Sequence, residues 1–350
     1  MTRDTVADVV IVGAGIAGLA CARQLQRQRW NVVVLEKSRG VGGRVATRRI
    51  EAPSSVMVDH GCQYLTADTD GFHRFLKEQQ ALGTVVEWTR TLYTLDHQGL
   101  HPDPLDDHRP RYVCPEGMTA LAKHLGDGIP IHLETHVSHI EAADTWQIHT
   151  TQGDVWAARS LVLALPAPQI LPLIAPWIGT YPAFATLLES ATYTPCLSVM
   201  AGYAPPEAVP TWKGMRCVGD PYLSWVALDS SKRVDSRDPV LVIQSTATFA
   251  QQYLEATAED LQQAAQILLK QVGQRLDPWM ATPLWHQIHR WRYALPEETV
   301  GLTSLATTSP LPLICAGDWC AGSRVEGAWL SGLDAAAQLQ HLMLTKKLGA

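Results

Sequence analysis

Val9-Val10-Ile11-Val12-Gly13-Ala14-Gly15-Ile16-Ala17-Gly18 opens the chain, and Val32-Val33-Val34-Leu35-Glu36 answers it about twenty residues later. The two apolar runs do not alternate with polar residues, as expected for strands buried on both faces of a sheet. Between them, Leu19-Ala20-Cys21-Ala22 and Leu25 have helical spacing and high helix propensity. Strand, tight turn, helix and strand within forty residues make a Rossmann-type βαβ unit. Gly13 permits the turn, Gly15 lets backbone approach a pyrophosphate, and Gly18 lets the helix pack on the strand. The amides of Ile16 and Ala17 then sit at a helix N-terminus that favours phosphate. Glu36 ends the second strand where a carboxylate accepts ribose hydroxyls and repels a 2′-phosphate. A bare βα turn has no need of Glu36 at that place.

Outward from this unit the pattern is mixed. Residues 70–82 and 117–125 read as helices, and 94–112 as loop with short strands. Residues 129–133 and 146–151 alternate like antiparallel strands. Leu161-Val162-Leu163-Ala164-Leu165 reads as a buried strand stopped by Pro166 and Pro168. Candidate strands follow near 196–203, 222–228, 240–247 and 285–293, with one apolar helix face from Leu261 to Val272. Leu313-Ile314-Cys315-Ala316 and a helix over 326–344 repeat the opening pattern at the far end. The expected fold is α/β: a Rossmann-type FAD-binding domain with an inserted α+β substrate domain built on an antiparallel sheet. The expected division is 1–65, 115–165 and 310–350 for the cofactor domain, and 66–114 and 166–309 for the substrate domain.

Composition narrows the function classes. Of 350 residues, 46% are apolar and 18% charged, which supports a packed core rather than disorder. A formal charge of −6 offers no basic field for nucleic acid or anionic membrane. No apolar run reaches the roughly twenty residues of a membrane helix, and Met1-Thr2-Arg3-Asp4 lacks the form of a signal peptide. A soluble cytoplasmic protein is expected. Seven cysteines, at 21, 62, 114, 196, 217, 315 and 320, have no framework spacing and read as reduced thiols.

The cofactor is read from a second glycine turn, Ser38-Arg39-Gly40-Val41-Gly42-Gly43-Arg44. Adjacent glycines admit the long pyrophosphate–ribityl arm of FAD, and Arg44 supplies charge-assisted contacts. A dehydrogenase that binds only NAD has no use for this loop.

These motifs together resemble the amine oxidase-like flavoproteins. The resemblance implies non-covalent FAD held by Gly13, Gly15, Ile16, Ala17, Gly18, Glu36, Lys37, Gly43, Arg44, Gln63, Val137, Gly317, Asp318, Gly327 and Ala328. In it, Gly317-Asp318 is similar to a second FAD motif, Thr135-His136-Val137 to the adenine-side strand, and Gly327 to Gly332 to the start of a last helix facing the flavin. A narrower resemblance is to the renalase-like branch. It rests on Lys37 to Arg44, Asp59-His60-Gly61-Cys62-Gln63-Tyr64, His289 to Ala294, Gly317 to Cys320 and Arg324 to Gly332. Cys62 departs from the branch's usual alanine. The resemblance implies oxidation of 2- or 6-dihydro isomers of NAD(P) to NAD(P)+, with oxygen as acceptor and hydrogen peroxide as product. The partners implied are a dihydronicotinamide nucleotide and oxygen.

Gln63, Tyr64, Trp291 and Tyr293 are the candidates for the catalytic face. On a strand, His289, Trp291 and Tyr293 share one side, and Arg290 and Arg292 the other. For the aromatics, core packing competes with substrate stacking. His132, His136 and His139 read as structural, because a strand does not turn all three to one centre. Two alternatives stay open: an FAD-dependent amine oxidase, which needs an aromatic cage and usually a lysine near the flavin, and a non-catalytic binding protein on an FAD-type fold.

Overall fold

A computed structural model describes residues 6–51, 55–105, 107–234, 236, 238–320 and 322–348, and the opening Met1 to Asp4 stretch lies outside them. Ala7–Val12 pairs in parallel with Val32–Leu35 on one side and Val155–Leu163 on the other. Leu313–Cys315 adds a further parallel strand beyond 161–163, so the two ends of the chain share one sheet. Val9, Val10 and Ile11 are fully buried because helices cover both faces. The hairpin Val137–Ala142 and Trp146–Thr150 extends this sheet antiparallel on the 155–158 half of its neighbour.

Two expectations need correction here. Residues 129–133 yield only Ile131–His132, and it runs parallel to Val34–Leu35 at the sheet edge. The strand expected over 161–165 ends at Leu163, and the stretch after it, to which no element was assigned, holds the helices Ala167–Ile178 and Pro182–Ser190. Pro168 and Pro182 sit in first turns, where no N–H is missed. Pro172 and Pro176 lie inside the first of these helices on its exposed side. Ile170, Ile174 and Leu188 join the core cluster of Val10, Val12 and Trp146. The core of the first sheet therefore runs past the boundary expected at 165.

The second sheet has seven strands, in the order Trp285–Glu298, Thr192–Gly202, Val240–Ser245, Leu223–Leu228, Gly214–Cys217, Tyr93–Asp96 and Gly99–Pro102. All its pairings are antiparallel except that of 93–95 with 215–217. Ala258–Arg275 covers one face with Ala264, Ala265, Leu268, Leu269 and Val272, and Thr257 and Asp260 close a capping box at its start. The last helix, Val325–Leu348, returns to the first one: a Cβ on Gly332 would stand 2.2 Å from the Ala17 carbonyl oxygen. No helix among the described residues is long and apolar enough to cross a membrane.

Candidate active site

The first glycine turn is built by steric necessity. Gly13 has φ +105°, and a Cβ there would meet the Ala164 carbonyl oxygen at 2.5 Å. A Cβ on Gly18 would lie 2.0 Å from the Gly13 oxygen. Gly15 is different: its φ is −77°, and nothing of the protein lies within 4 Å of the place a Cβ would take. The chain leaves that space open at the uncapped start of the helix Ile16–Arg27, which has no acidic residue in its first turn. An open cradle at a bare helix N-terminus fits a pyrophosphate.

Glu36 is buried. One carboxylate oxygen accepts the Ala14 N–H and the other the Ser38 N–H, both at 2.8 Å. Each oxygen keeps lone pairs for a ribose hydroxyl. Lys37 is exposed beside it, and Val137 is buried at the start of the adjoining hairpin. The second glycine turn docks on the first: the Gly42 N–H donates to the Ala14 oxygen, and Gly42 and Gly43 take φ +117° and +56°. Arg44 then pairs with Asp318 at 2.7 Å and lies 5.8 Å from the Tyr193 ring centre. Burial pushes the Asp318 carboxyl up, and Arg44 opposes that shift. The Gly317 N–H donates to Ser331 Oγ, which ties the second motif to the last helix. A Cβ on Gly327 would sit 2.0 Å from the Gly322 oxygen. Gly327 and Ala328 therefore lie at a tightly closed helix start, one turn before the Ser331 that holds Gly317. The residues present fit FAD from ribose to helix end.

The four catalytic candidates gather around residues 60–64. Cys62 N–H donates to the Arg44 oxygen, and a Cβ on Gly61 would clash with that oxygen at 2.1 Å. Trp291 Nε1 donates to the His60 oxygen at 2.9 Å, and its ring stacks on His60. Tyr293 meets Tyr193 edge to face at 5.5 Å, next to Arg44. Tyr64 packs at 5.5 Å from Trp225. The Gln63 amide is used inside the protein: its nitrogen donates to the Asp59 and Gly61 oxygens, and its oxygen accepts from Lys232 Nζ at 3.2 Å. Gln63 orders the loop, while Tyr64 faces open space. Arg290 and Arg292 turn the other way, to Tyr253, Ala256 and Glu255.

Two groups escaped the sequence reading. The first is a buried ionic cluster. Lys232 reaches Asp229 at 2.8 Å and Asp59 at 3.7 Å, and Arg233 reaches Asp229 at 2.7 Å and Asp59 at 2.9 Å. Burial pushes Asp229 up in spite of both cations. Burial also works to raise Asp59, but Lys232, Arg233 and the Thr47 hydroxyl bring it below the usual range. The spacing Asp229, Lys232, Arg233 is a visible i, i+3, i+4 signal. The second is a cavity of about 400 Å³ walled by Tyr64 and Trp225 and rimmed by Arg109, Arg111, Arg216 and Arg324. Asp107, which also lines the cavity, pairs with Arg109 and Arg111, Asp68 pairs with Arg109, and Asp103 pairs with Arg216. Among the described residues Arg324 has no carboxylate partner. The run Asp107-His108-Arg109-Pro110-Arg111 was the signal for this rim.

His60 and His289 are both held neutral. Burial, helped by His289 and Arg48, brings His60 down to about 3, and burial with Arg48 brings His289 down to about 4. All seven cysteines are free thiols. Burial pushes the Cys320 thiol up to about 12.

Comparison with known proteins agrees with this geometry. Residues 11–78 match the NAD(P)-binding Rossmann-like domain, and 103–340 match the flavin containing amine oxidoreductase family. Mouse renalase is 26% identical over 342 residues, covering 93% of this chain and 96% of its own. Cyclohexylamine oxidase from Brevibacterium oxydans superposes with a TM-score of 0.73 at 15% identity, over 97% of this chain and 100% of its own. Putrescine oxidase bound to putrescine superposes at 0.66 with 15% identity, over 96% and 99%. At that identity the two structures establish the shared fold. With residues that fit FAD at the glycine turns and Glu36, and a family match over two thirds of its length, the chain belongs to the flavin containing amine oxidoreductases, as a renalase-like FAD-dependent oxidoreductase.

Proposed function

We propose that the protein oxidises 2- or 6-dihydro isomers of NAD(P) to NAD(P)+. The observation that carries this reading is the cavity beside Tyr64, where the rings of Tyr64 and Trp225, tilted 44° to each other, meet a rim of four arginines. A dihydronicotinamide nucleotide has a flat ring for the wall and phosphates for the rim. An amine cation would meet four guanidiniums there against the single Asp107 carboxylate. The buried lysine nearest the loop, Lys232, is committed to Asp229, Asp59 and Gln63. Bound FAD supplies a two-electron acceptor at its N5, with oxygen as terminal oxidant and hydrogen peroxide as product.

The chain's own residues bind, orient and exclude water. Tyr64 and Trp225, tilted 44° to each other, offer an aromatic face to the ring. Arg324, without a carboxylate partner among the described residues, meets the phosphates, and Arg109, Arg111 and Arg216, held by Asp68, Asp107 and Asp103, add positive potential around it. Gln63, locked by Lys232, sets the position of Tyr64. Trp291 and Tyr293 brace the loop and Arg44 from the strand side. No base is required, because the ring nitrogen's lone pair expels the hydride as the aromatic cation forms, so alignment carries the rate. The two sheets support a division into a cofactor domain and an inserted substrate domain.

The test is anaerobic bleaching of the holoprotein's flavin absorbance. Rapid bleaching by the 2- or 6-dihydro isomers, with none by putrescine or cyclohexylamine, is expected. Bleaching by an amine, with the isomers inert, overturns the reading and leaves the FAD site standing.

A further inference from the structure

The outer face of the hairpin Val137–Ala142 and Trp146–Thr150 carries a second set of groups, on the far side from the buried Ile140 and Ile148. His139 and His149 are directly paired across the strands, and their rings stack at 4.1 Å with 13° between planes. Glu141 follows His139 by two residues and shares its face. Its Oε1 lies 3.6 Å from His139 Nε2, and its Oε2 lies 3.6 Å from His149 Nε2. The sequence reading set His139 beside His132 and His136. The partner that matters comes from the other strand, which spacing along one strand does not reveal.

The protonation pattern is fixed by Ser138. The ladder shifts register between Val137 and His139, so Ser138 is the extra residue of a bulge. Its hydroxyl has one proton, donated to the His149 carbonyl oxygen at 3.1 Å. Toward His139 Nδ1, also at 3.1 Å, Ser138 Oγ therefore accepts, which places the imidazole proton on Nδ1. In the neutral ring, Nε2 is then a bare lone pair facing a carboxylate oxygen. His149 Nε2 is buried, has no hydrogen-bond partner and faces the same carboxylate. A lone pair of His139 and an unpartnered nitrogen of His149 thus face the two oxygens of one carboxylate, and a cation satisfies all three once the stacked rings turn apart to aim at it. Zinc-class ions bind nitrogen and carboxylate oxygen at about 2.0–2.2 Å, so two tetrahedral ligands stand about 3.4 Å apart. The two nitrogen–oxygen separations, one to each oxygen of the Glu141 carboxylate, are both 3.6 Å, within a few tenths of an ångström of that edge. All three ligand atoms lie within 4.8 Å of one another.

We propose that His139, His149 and Glu141 form a binding site for a divalent transition metal ion of the zinc class, with Ser138 orienting His139 and a fourth position open to water. Imidazole with carboxylate suits zinc, nickel or copper rather than magnesium or calcium. The site lies outside the flavin cradle and concerns no step of the oxidation.

The experiment is calorimetric titration of chelator-treated holoprotein with zinc at pH 7.5. One zinc per chain is expected. It is lost in His149→Ala and in Glu141→Gln, an exposed and isosteric change that keeps the fold. Ser138→Ala keeps the stoichiometry but weakens binding about 10- to 100-fold, as removal of an orienting partner does. Flavin content, read by absorbance, stays at the wild-type level in all three, which separates loss of metal from loss of fold. Absence of zinc uptake, or uptake unchanged in His149→Ala and Glu141→Gln, overturns the site. Unchanged affinity in Ser138→Ala overturns the proton placement on which it stands.

Discussion

Lys232→Met tests how the buried cluster holds the active-site loop. The ammonium lies 2.8 Å from Asp229 and 3.7 Å from Asp59. At an effective dielectric constant of about 20, those distances correspond to about 6 and about 4 kcal/mol of gross attraction. Desolvation of the ammonium offsets much of this, and breaking a buried pair on one side leaves a net cost of about 3–5 kcal/mol. Methionine keeps the volume, so the cost is electrostatic. It also depends on pH. With Lys232 gone, Asp229 is a buried carboxylate with only Arg233 beside it, and its folded pKa rises further above the unfolded value. The folded variant then binds more protons than the unfolded chain, so its stability rises as pH falls toward that pKa. Urea unfolding of the holoprotein at pH 8 and pH 5.5 should show the deficit relative to wild type shrinking at the lower pH. The Gln63 oxygen loses its donor in the same variant, so turnover should fall even where the fold is intact. A deficit below 1 kcal/mol at pH 8, or one that does not change with pH, would refute the reasoning.

Glu36→Ala should leave the fold and lower FAD affinity by at least tenfold, since hydrogen bonds to a charged group are worth about 1.5–3 kcal/mol each; the flavin-to-protein ratio after gel filtration measures it, and full retention would mean that the ribose binds elsewhere. Acid should weaken the protein through His60 and His289. Both fold with pKa values depressed to about 3 and about 4, so between there and about 6.5 the unfolded chain binds more protons and stability falls as pH falls, by up to about 1.4 kcal/mol per pH unit for each residue. His60→Phe should flatten the pH dependence of urea midpoints between pH 7 and 4.5, and an unchanged slope would remove His60 from this account.

The cofactor half of the fold was legible because its demands leave glycines and a carboxylate at fixed spacing, even where the contact is distant. Gly18 is forced by the Gly13 oxygen within the turn, Gly13 by Ala164 from a far strand, and Glu36 accepts the Ala14 and Ser38 amides. The alternation of His289, Trp291 and Tyr293 against Arg290 and Arg292 was likewise set within one strand. Contacts between distant segments were hidden. Gln63 was read as a possible partner of substrate, yet its amide is consumed by Asp59, Gly61 and Lys232, the last lying 169 residues away. The arginine rim joins residues 109–111, 216 and 324, which no periodicity connects. The helices over 167–190 were missed because proline was taken as a stop, whereas in a first turn it is a start.

The sharing of the first sheet between both chain ends bears on how this protein is made. When the ribosome has produced the glycine turn, Glu36 and the parallel strands through Leu163, the pocket still lacks Leu313–Cys315, Asp318 and the helix that closes on Ala17. A chain stopped short of about residue 330 would carry the opening motif and have no way to complete the cradle. On the proposed placement of FAD, cofactor capture therefore waits until Leu313–Cys315 and the start of the helix that follows have left the ribosome.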